Sequence, residues 1–252
     1  MKNIKQFKLN NNLECIRFLD NKKEKFELEF NLEHGTSFNT FFSLEDDCLI
    51  IIHPPETNNF DSFLKIANTY IENFRPKEIN IITGHINPKI VETIKKIKNY
   101  FNNLILTSSV PANKLICELW EQKKPGEKDE VKVSLPEIKV IKKEVILEFK
   151  NNIFHLIPAP TARWPGGLIV LEKNSGYLFS EKLFSCHIAS EDWSENNRIS
   201  TESDRKHFYN CLMAPMSSQI TSLSEKVSEF DIKCIAPLHG PAIEYSLKSF
   251  LN

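Results

Sequence analysis

The sequence predicts an α/β chain of the αββα type, with two mixed sheets packed face to face and helices outside. Three observations carry this expectation. Short β-rich runs alternate with segments of helical period, and the order of strands and helices recurs on both sides of one charged stretch. The chain has 252 residues, 41% of them hydrophobic, enough for one large domain with a two-sided core. Periodicity alone leaves other α/β arrangements open. A doubly wound dinucleotide fold is disfavoured, because no GxGxxG follows a strand and no GKS or GKT phosphate loop occurs.

Taken in order, FELEF (26–30), FNTFFSL (38–44) and CLIIIH (48–53) are β-type runs separated by turn signals, and they read as consecutive antiparallel strands. Phe60, Phe63, Leu64, Ala67, Tyr70, Ile71 and Phe74 recur at helical spacing, which predicts a helix over 60–74 stopped by Pro76. Next come a strand at 79–83, a helix over 89–101, a strand at 104–108 and a short helix opened by Pro111. The charged, Pro- and Gly-containing stretch 121–130 reads as a surface linker between two halves of similar plan. The second half holds strands near 144–149 and 153–157, and a hairpin in GLIVLEKNSGYLFS turning at NSG. A helical region over 203–228, broken at Pro215, precedes a last strand that runs into the His-Gly-Pro loop.

Basic and acidic residues nearly balance, 32 against 33, for a formal charge of -1. That balance gives no electrostatic footprint for nucleic acid. The first twelve residues lack the apolar run of a secretory signal, and nothing approaches the roughly 20 apolar residues of a membrane span. A cytoplasmic protein without a membrane span is expected. The six cysteines, Cys15, Cys48, Cys117, Cys186, Cys211 and Cys234, form no CxxC pair and read as reduced, mostly buried thiols. Cys186 is the one to watch, because His187 follows it, although packing is the simpler reading.

Four segments in order, HGTSFNTFF, TGHINP, PAPTARWPGGL with LFSEKLFSCHIAS, and APLHGP, resemble the metallo-β-lactamase-like domain of flavodiiron proteins. The cyanobacterial and chloroplast group is the nearest in flavour, and DRKHFYNCLMAP (204–215) is similar to it as well. The resemblance covers about residues 20–245. It implies an αββα sandwich whose strand-end loops hold two irons, followed by an FMN-bearing flavodoxin domain that feeds electrons to reduce oxygen or nitric oxide. It also implies a head-to-tail dimer, with the flavin of one chain beside the irons of the other. The expectation here is a single metallo-β-lactamase-like domain over 1–252, with no flavodoxin or flavin-reductase domain.

Within that resemblance the ligand set is broken. The first iron loop of the family reads His-x-Glu-x-Asp-His. Here His85 matches its first histidine, while Asn87, Lys89 and Ile90 stand at the other three places. Arg163 precedes the tryptophan where the family has a histidine, Lys182 takes the place of the bridging aspartate, and His239 retains the final histidine. Five of seven ligands are thus replaced. A di-iron centre needs anionic oxygen donors, and protonated Lys and Arg side chains cannot ligate. A zinc hydrolase fails likewise, because its HxHxDH loop is missing. His34, His53, His155 and His207 read as surface or packed histidines.

The expectations that follow are a remnant, empty metal site at His85 and His239 and no catalytic or cofactor-binding residue. No di-iron centre or FMN is expected, and at most a weak adventitious Zn²⁺ or Ni²⁺ between the two histidines. Arg163 and Lys182 are expected to turn inward with an anion or a carboxylate between them. The first functional reading is a non-catalytic or accessory flavodiiron-like subunit, working as a homodimer or as a hetero-oligomer with a flavodiiron protein. A second is an oxidoreductase active only with a partner flavodiiron or flavodoxin chain in oxygen photoreduction. A third is a domain that binds a small anion or small molecule.

Overall fold

Alternation along the strands sets the architecture. In β6 (Cys48–Ile52), Leu49 and Ile51 join one apolar cluster while Ile50 and Ile52 join another, as the two-residue period of a strand buried on both faces requires. β12 (Gly167–Glu172) divides in the same way, with Ile169 and Leu171 on one side and Leu168 and Val170 on the other. The central cluster mixes Phe41, Ile50 and Ile82 with Phe154, Val170 and Phe179, so the two sheets pack on each other. The computed structural model describes residues 3–122, 133–160, 163–195 and 198–244, the side chains of 198–200 excepted.

The larger sheet runs in the order β1 (Asn3–Lys8), β2 (Leu13–Asp20), β5 (Thr36–Leu44), β6, β7 (Glu78–Thr83), β8 (Leu104–Ser109) and β9 (Glu137–Ile141). It is antiparallel up to β6 and parallel from there on. The smaller sheet orders β10 (Val145–Glu148), β11 (Ile153–Ala159), β12, β13 (Tyr177–Glu181) and β14 (Cys234–Pro237), with only the last pair parallel. Helices α1 (Phe60–Phe74), α2 (Pro88–Tyr100) and α3 (Val110–Glu121) cover the larger sheet through Phe63, Ile94 and Ile116. Helices α4 (Arg198–Phe208) and α5 (Ser217–Val227) cover the smaller one through Phe208 and Leu223. The four layers are the predicted αββα sandwich.

Three expectations change. FELEF is no strand of the main sheet: it forms a two-rung hairpin, β3 (Lys25–Phe26) and β4 (Glu29–Phe30), turning at Glu27 with φ 52°. The antiparallel neighbours of β5 are β2 and β6, and β2 was hidden because it is buried at nearly every position and does not alternate in polarity. β9 pairs with β8, so the larger sheet takes a strand from beyond the predicted linker and the two halves do not divide there. From residue 123 on, that linker lies outside the described residues. Among the described residues, no helix is long and apolar enough to cross a membrane.

Candidate functional site

The carboxyl ends of β6, β7, β13 and β14 open on one edge of the sandwich, the place where α/β sheets hold their ligands. They present His53, His85, Glu181 with Lys182, and His239. The β3–β4 hairpin adds Glu27 and Glu29, and the β11–β12 loop adds Arg163 and Trp164. Four of these residues, Glu27, His53, Arg163 and Glu181, have φ between 52° and 69°. Left-handed backbone at bulky residues is costly and gathers where a site needs it.

Two linked charge groups fill this edge. In the first, His85 Nδ1 is in direct contact with Glu181 Oε1, both side chains being buried. Burial pushes the Glu181 carboxyl up, but the charges of His85, Lys182 and His53 outweigh it and bring the group down to about 2. In the second, Lys182 Nζ, 3% exposed, lies 3.5 Å from Glu27 Oε2, and Arg163 Nε approaches the same oxygen at 3.5 Å. Trp164 Nε1 donates to Glu27 Oε1 at 2.6 Å. Burial alone would raise Glu27; Lys182, the Trp164 bond, His85 and Arg163 together hold it below its ordinary value. Lys182 therefore turns inward and Glu27 is the carboxylate beside it. Arg163 stays at the rim, 35% exposed and over the face of Trp164.

The TGHINPKI loop has become the start of a helix. Asn87 is the N-cap of α2, its Oδ1 accepting from Ile90 N–H at 2.9 Å, and Pro88 takes the first helical position. Asn87 Nδ2 also donates to Glu56 Oε1 at 3.0 Å, and Lys89 pairs with Glu56 Oε2 at 3.1 Å while 59% exposed. Ile90 is fully buried in the cluster under α2, which stabilises the fold by about 1.5–3 kcal/mol relative to exposure. These three side chains serve capping, solvation and packing. Asn87→Ala is expected to cost about 1–2 kcal/mol in urea unfolding, with faster amide exchange in the first turn of α2.

His239 belongs to the same cluster, within reach of the charges of Lys182 and His85. Its Nδ1–H donates to Ser37 O at 2.7 Å, which fixes the tautomer, and burial with the neighbouring His187 holds it well below the usual imidazole range. Its ring packs against Phe26 and His187, with centroids 4.9 Å away in each case. His187 bridges Thr36 Oγ1 at 2.7 Å and Glu29 Oε2 at 2.8 Å. Burial pushes Glu29 up to about 8 and His187 down to about 3, so the folded pair holds one proton across the range between. The unfolded pair loses its last proton near the ordinary histidine value of about 6.5. Between about pH 6.5 and 8 the folded state binds more protons, and stability falls as pH rises. Glu29→Gln removes the group that titrates in the folded state and is expected to flatten the fall from pH 7 to 8.5, read from urea midpoints.

Glu27, Glu29, Glu181, His187 and the clustered His53 escaped the sequence reading. Only the His187 neighbour of Cys186 gave a signal, and it drew attention to the thiol. Cys186 itself is fully buried, its thiol pushed up to about 11 by burial, and it lies under Gly240. At φ 86° that glycine has no room for a Cβ, which would stand 2.4 Å from the Cys186 sulfur.

Sandwich and strand-end histidines together define the class of metallo-β-lactamase-like domains. Residues 36–240 match the family described as ODP family beta lactamase, and the chain belongs to it. Its relatives are diflavin flavoproteins of the flavodiiron group. It is 27% identical over 246 residues to diflavin flavoprotein A 5 of Nostoc, covering 94% of this chain and 39% of the relative. It is 28% identical over 231 residues to diflavin flavoprotein A 4 of Nostoc, covering 90% and 37%. The chain thus spans about two fifths of the length of these relatives. A crystallised fragment (1–254) of the Nostoc A 5 protein superposes with TM-score 0.84 at 24% identity, covering 100% of this chain and 93% of that one. A metal-soaked flavodiiron core from Synechocystis gives 0.86 at 23%, covering 98% and 59%.

The donors at this edge do not suit the two irons of that family. The carboxylate in contact with His85 belongs to Glu181, and a buried ammonium, Lys182, adjoins it. Asn87 and Ile90 are committed to the helix start and to the core. Two cations a few ångströms apart require a bridging carboxylate and further anionic donors to hold them together, and a third positive charge among them opposes binding.

Proposed function

We propose that this chain is a flavodiiron-type lactamase-like domain that holds no di-iron centre and acts as a non-catalytic or accessory subunit, associating with itself or with an intact diflavin flavoprotein. The observation that carries the reading is Lys182. Its buried ammonium, paired with Glu27, stands at the place of the family's bridging aspartate and supplies internally the positive charge that metal would bring. The surrounding sandwich keeps the relatives' framework over nearly the whole chain, which a scaffold role uses and catalysis by this domain alone does not. Protein purified from iron-replete medium is expected to contain far less than one iron per chain. Two tightly bound irons would overturn the first half of the proposal. For the second half, the tagged chain is expected to dimerise, or to capture a diflavin flavoprotein from extracts of its own cells. A monomer that repeatedly captures none defeats the assembly reading.

One observation favours a second reading, the binding of a small anionic molecule. A pocket of about 400 Å³ opens beside Glu27 and is lined by Lys23, Lys25, Lys89 and Arg163 against Asp20, Glu27 and Glu56, with Trp164 and Phe26 as apolar walls. Failure of the assembly test together with saturable binding of an aromatic carboxylate would establish this reading in place of the first.

A further inference from the structure

The outer face of the smaller sheet holds a second pocket, of about 460 Å³, distinct from the strand-end cluster. Its wall is shaped by a break in helical regularity. A π-helical turn, Tyr209–Met213, follows α4, and a single 3-10 turn, Ala214–Met216, leads into α5. The wide turn and the tight one together separate α4 from α5. Phe208, Tyr209 and Met213 then line one pocket with Ile220 of α5. Phe184 closes another side with φ 61°, a left-handed conformation rare for an aromatic residue.

The polar part of this pocket is a buried ion pair. Arg205 Nε donates to Glu195 Oε1 at 2.6 Å, and its other nitrogens donate to Pro241 O at 3.0 Å and to Phe184 O. Glu195, one of the lining residues, has a side chain 1% exposed, and its Oε2 is buried without a hydrogen-bond partner among the described residues. A carboxylate oxygen in that condition is an acceptor in search of a donor. Among the described lining residues the charges, Glu195 and Glu202 against Arg205 and Lys206, cancel, which favours a neutral ligand. The volume falls within the roughly 300–1,000 Å³ typical of small-molecule sites.

We propose that this pocket binds a small neutral aromatic alcohol, its ring packed between Phe208 and Ile220 and its hydroxyl donating to Glu195 Oε2 after a small turn of that buried carboxylate towards the pocket. The assignment is independent of the accessory role. Phe208 also packs against His187, with centroids 5.3 Å apart, so the pocket and the histidine cluster share that ring.

The test uses 2-naphthol as probe and naphthalene, which lacks the hydroxyl, as control. Each is titrated into the full chain, with binding followed by ligand fluorescence and by methyl NMR of Met213 and Ile220. Saturable binding of 2-naphthol is expected, with naphthalene weaker by roughly tenfold, as loss of one hydrogen bond to a charged acceptor predicts. Methyl shifts at Met213 and Ile220 are expected to follow the same curve. Ile220→Trp, which fills the pocket, is expected to weaken binding by roughly tenfold, and the methyl shifts of the unaltered protein locate the site whether or not that variant folds. Equal affinity for the two probes, shifts confined to other methyls, or no saturable binding up to about 1 mM would each overturn the proposal.

Discussion

Glu181→Gln is expected to lower the unfolding free energy at pH 7 by about 3 kcal/mol, roughly the value of a carboxyl moved from 4.5 to about 2 by its surroundings. Glutamine keeps the shape and removes the charge, leaving His85 and Lys182 buried with less compensation, the situation that makes half of a buried ion pair so costly. The pH signature separates this from a packing defect. A carboxyl depressed on folding stabilises fully above its unfolded value, and that contribution fades as pH falls through 4.5 towards 2. The unaltered protein should therefore lose stability over that interval, and the glutamine variant should show a shallower loss. Urea unfolding at a series of pH values between 7 and 3 measures both. A variant within about 0.5 kcal/mol of the parent at pH 7 would show that the Glu181–His85 contact carries little of the fold.

Arg17→Met is expected to be at least as damaging, by about 3–5 kcal/mol, with the site edge loosened as well. The guanidinium is 0% exposed, and its hydrogen bonds go to one amide oxygen and three backbone carbonyls, with the charge of Asp192 nearby. Its Nε donates to Asn39 Oδ1 at 2.7 Å, and its two terminal nitrogens donate to the carbonyls of Ser190, Asp192 and Trp193. Phe7 and Trp193 lie 5.0 and 5.7 Å from the charge. Replacing a whole buried ion pair by apolar residues is often neutral, but three of these four partners are backbone carbonyls that no substitution removes. Asn39, in turn, donates to Pro237 O and Gly240 O, so the same change frees the loop carrying His239. Hydrogen exchange should accelerate at 190–195 and 237–241 before the rest of the chain. Lysine should recover little, because a single ammonium cannot reproduce the fork. Loss of less than about 1 kcal/mol in Arg17→Met would refute the account.

How much of this could be read in advance varies with the kind of signal. The helix over 60–74 was legible to the residue, since an amphipathic stripe ending at Pro76 writes its own period and limit. The hairpin at NSG was equally plain, as β12 and β13 flank it. β1 and β2 were not, because one is short and half-exposed and the other is buried along its length without alternation. The position of β9 was hidden for another reason: its pairing with β8 joins residues on opposite sides of the 121–130 stretch, and no local pattern encodes a non-local pairing.

At the site, the sequence by itself determined what is missing. Asn87, Lys89, Ile90, Arg163 and Lys182 bring no anionic donor wherever they point, because the charge a side chain can carry belongs to the residue type. Only the tertiary structure decided what stands there instead. Glu181 faces His85, Glu27 lies beside Lys182, and Glu29 bonds His187 across 158 positions of sequence. Which carboxylate meets which cation is set by strand ends and a two-rung hairpin brought together by burial of the sheets. Charge pairing acts over a few ångströms in space and carries no mark along the chain.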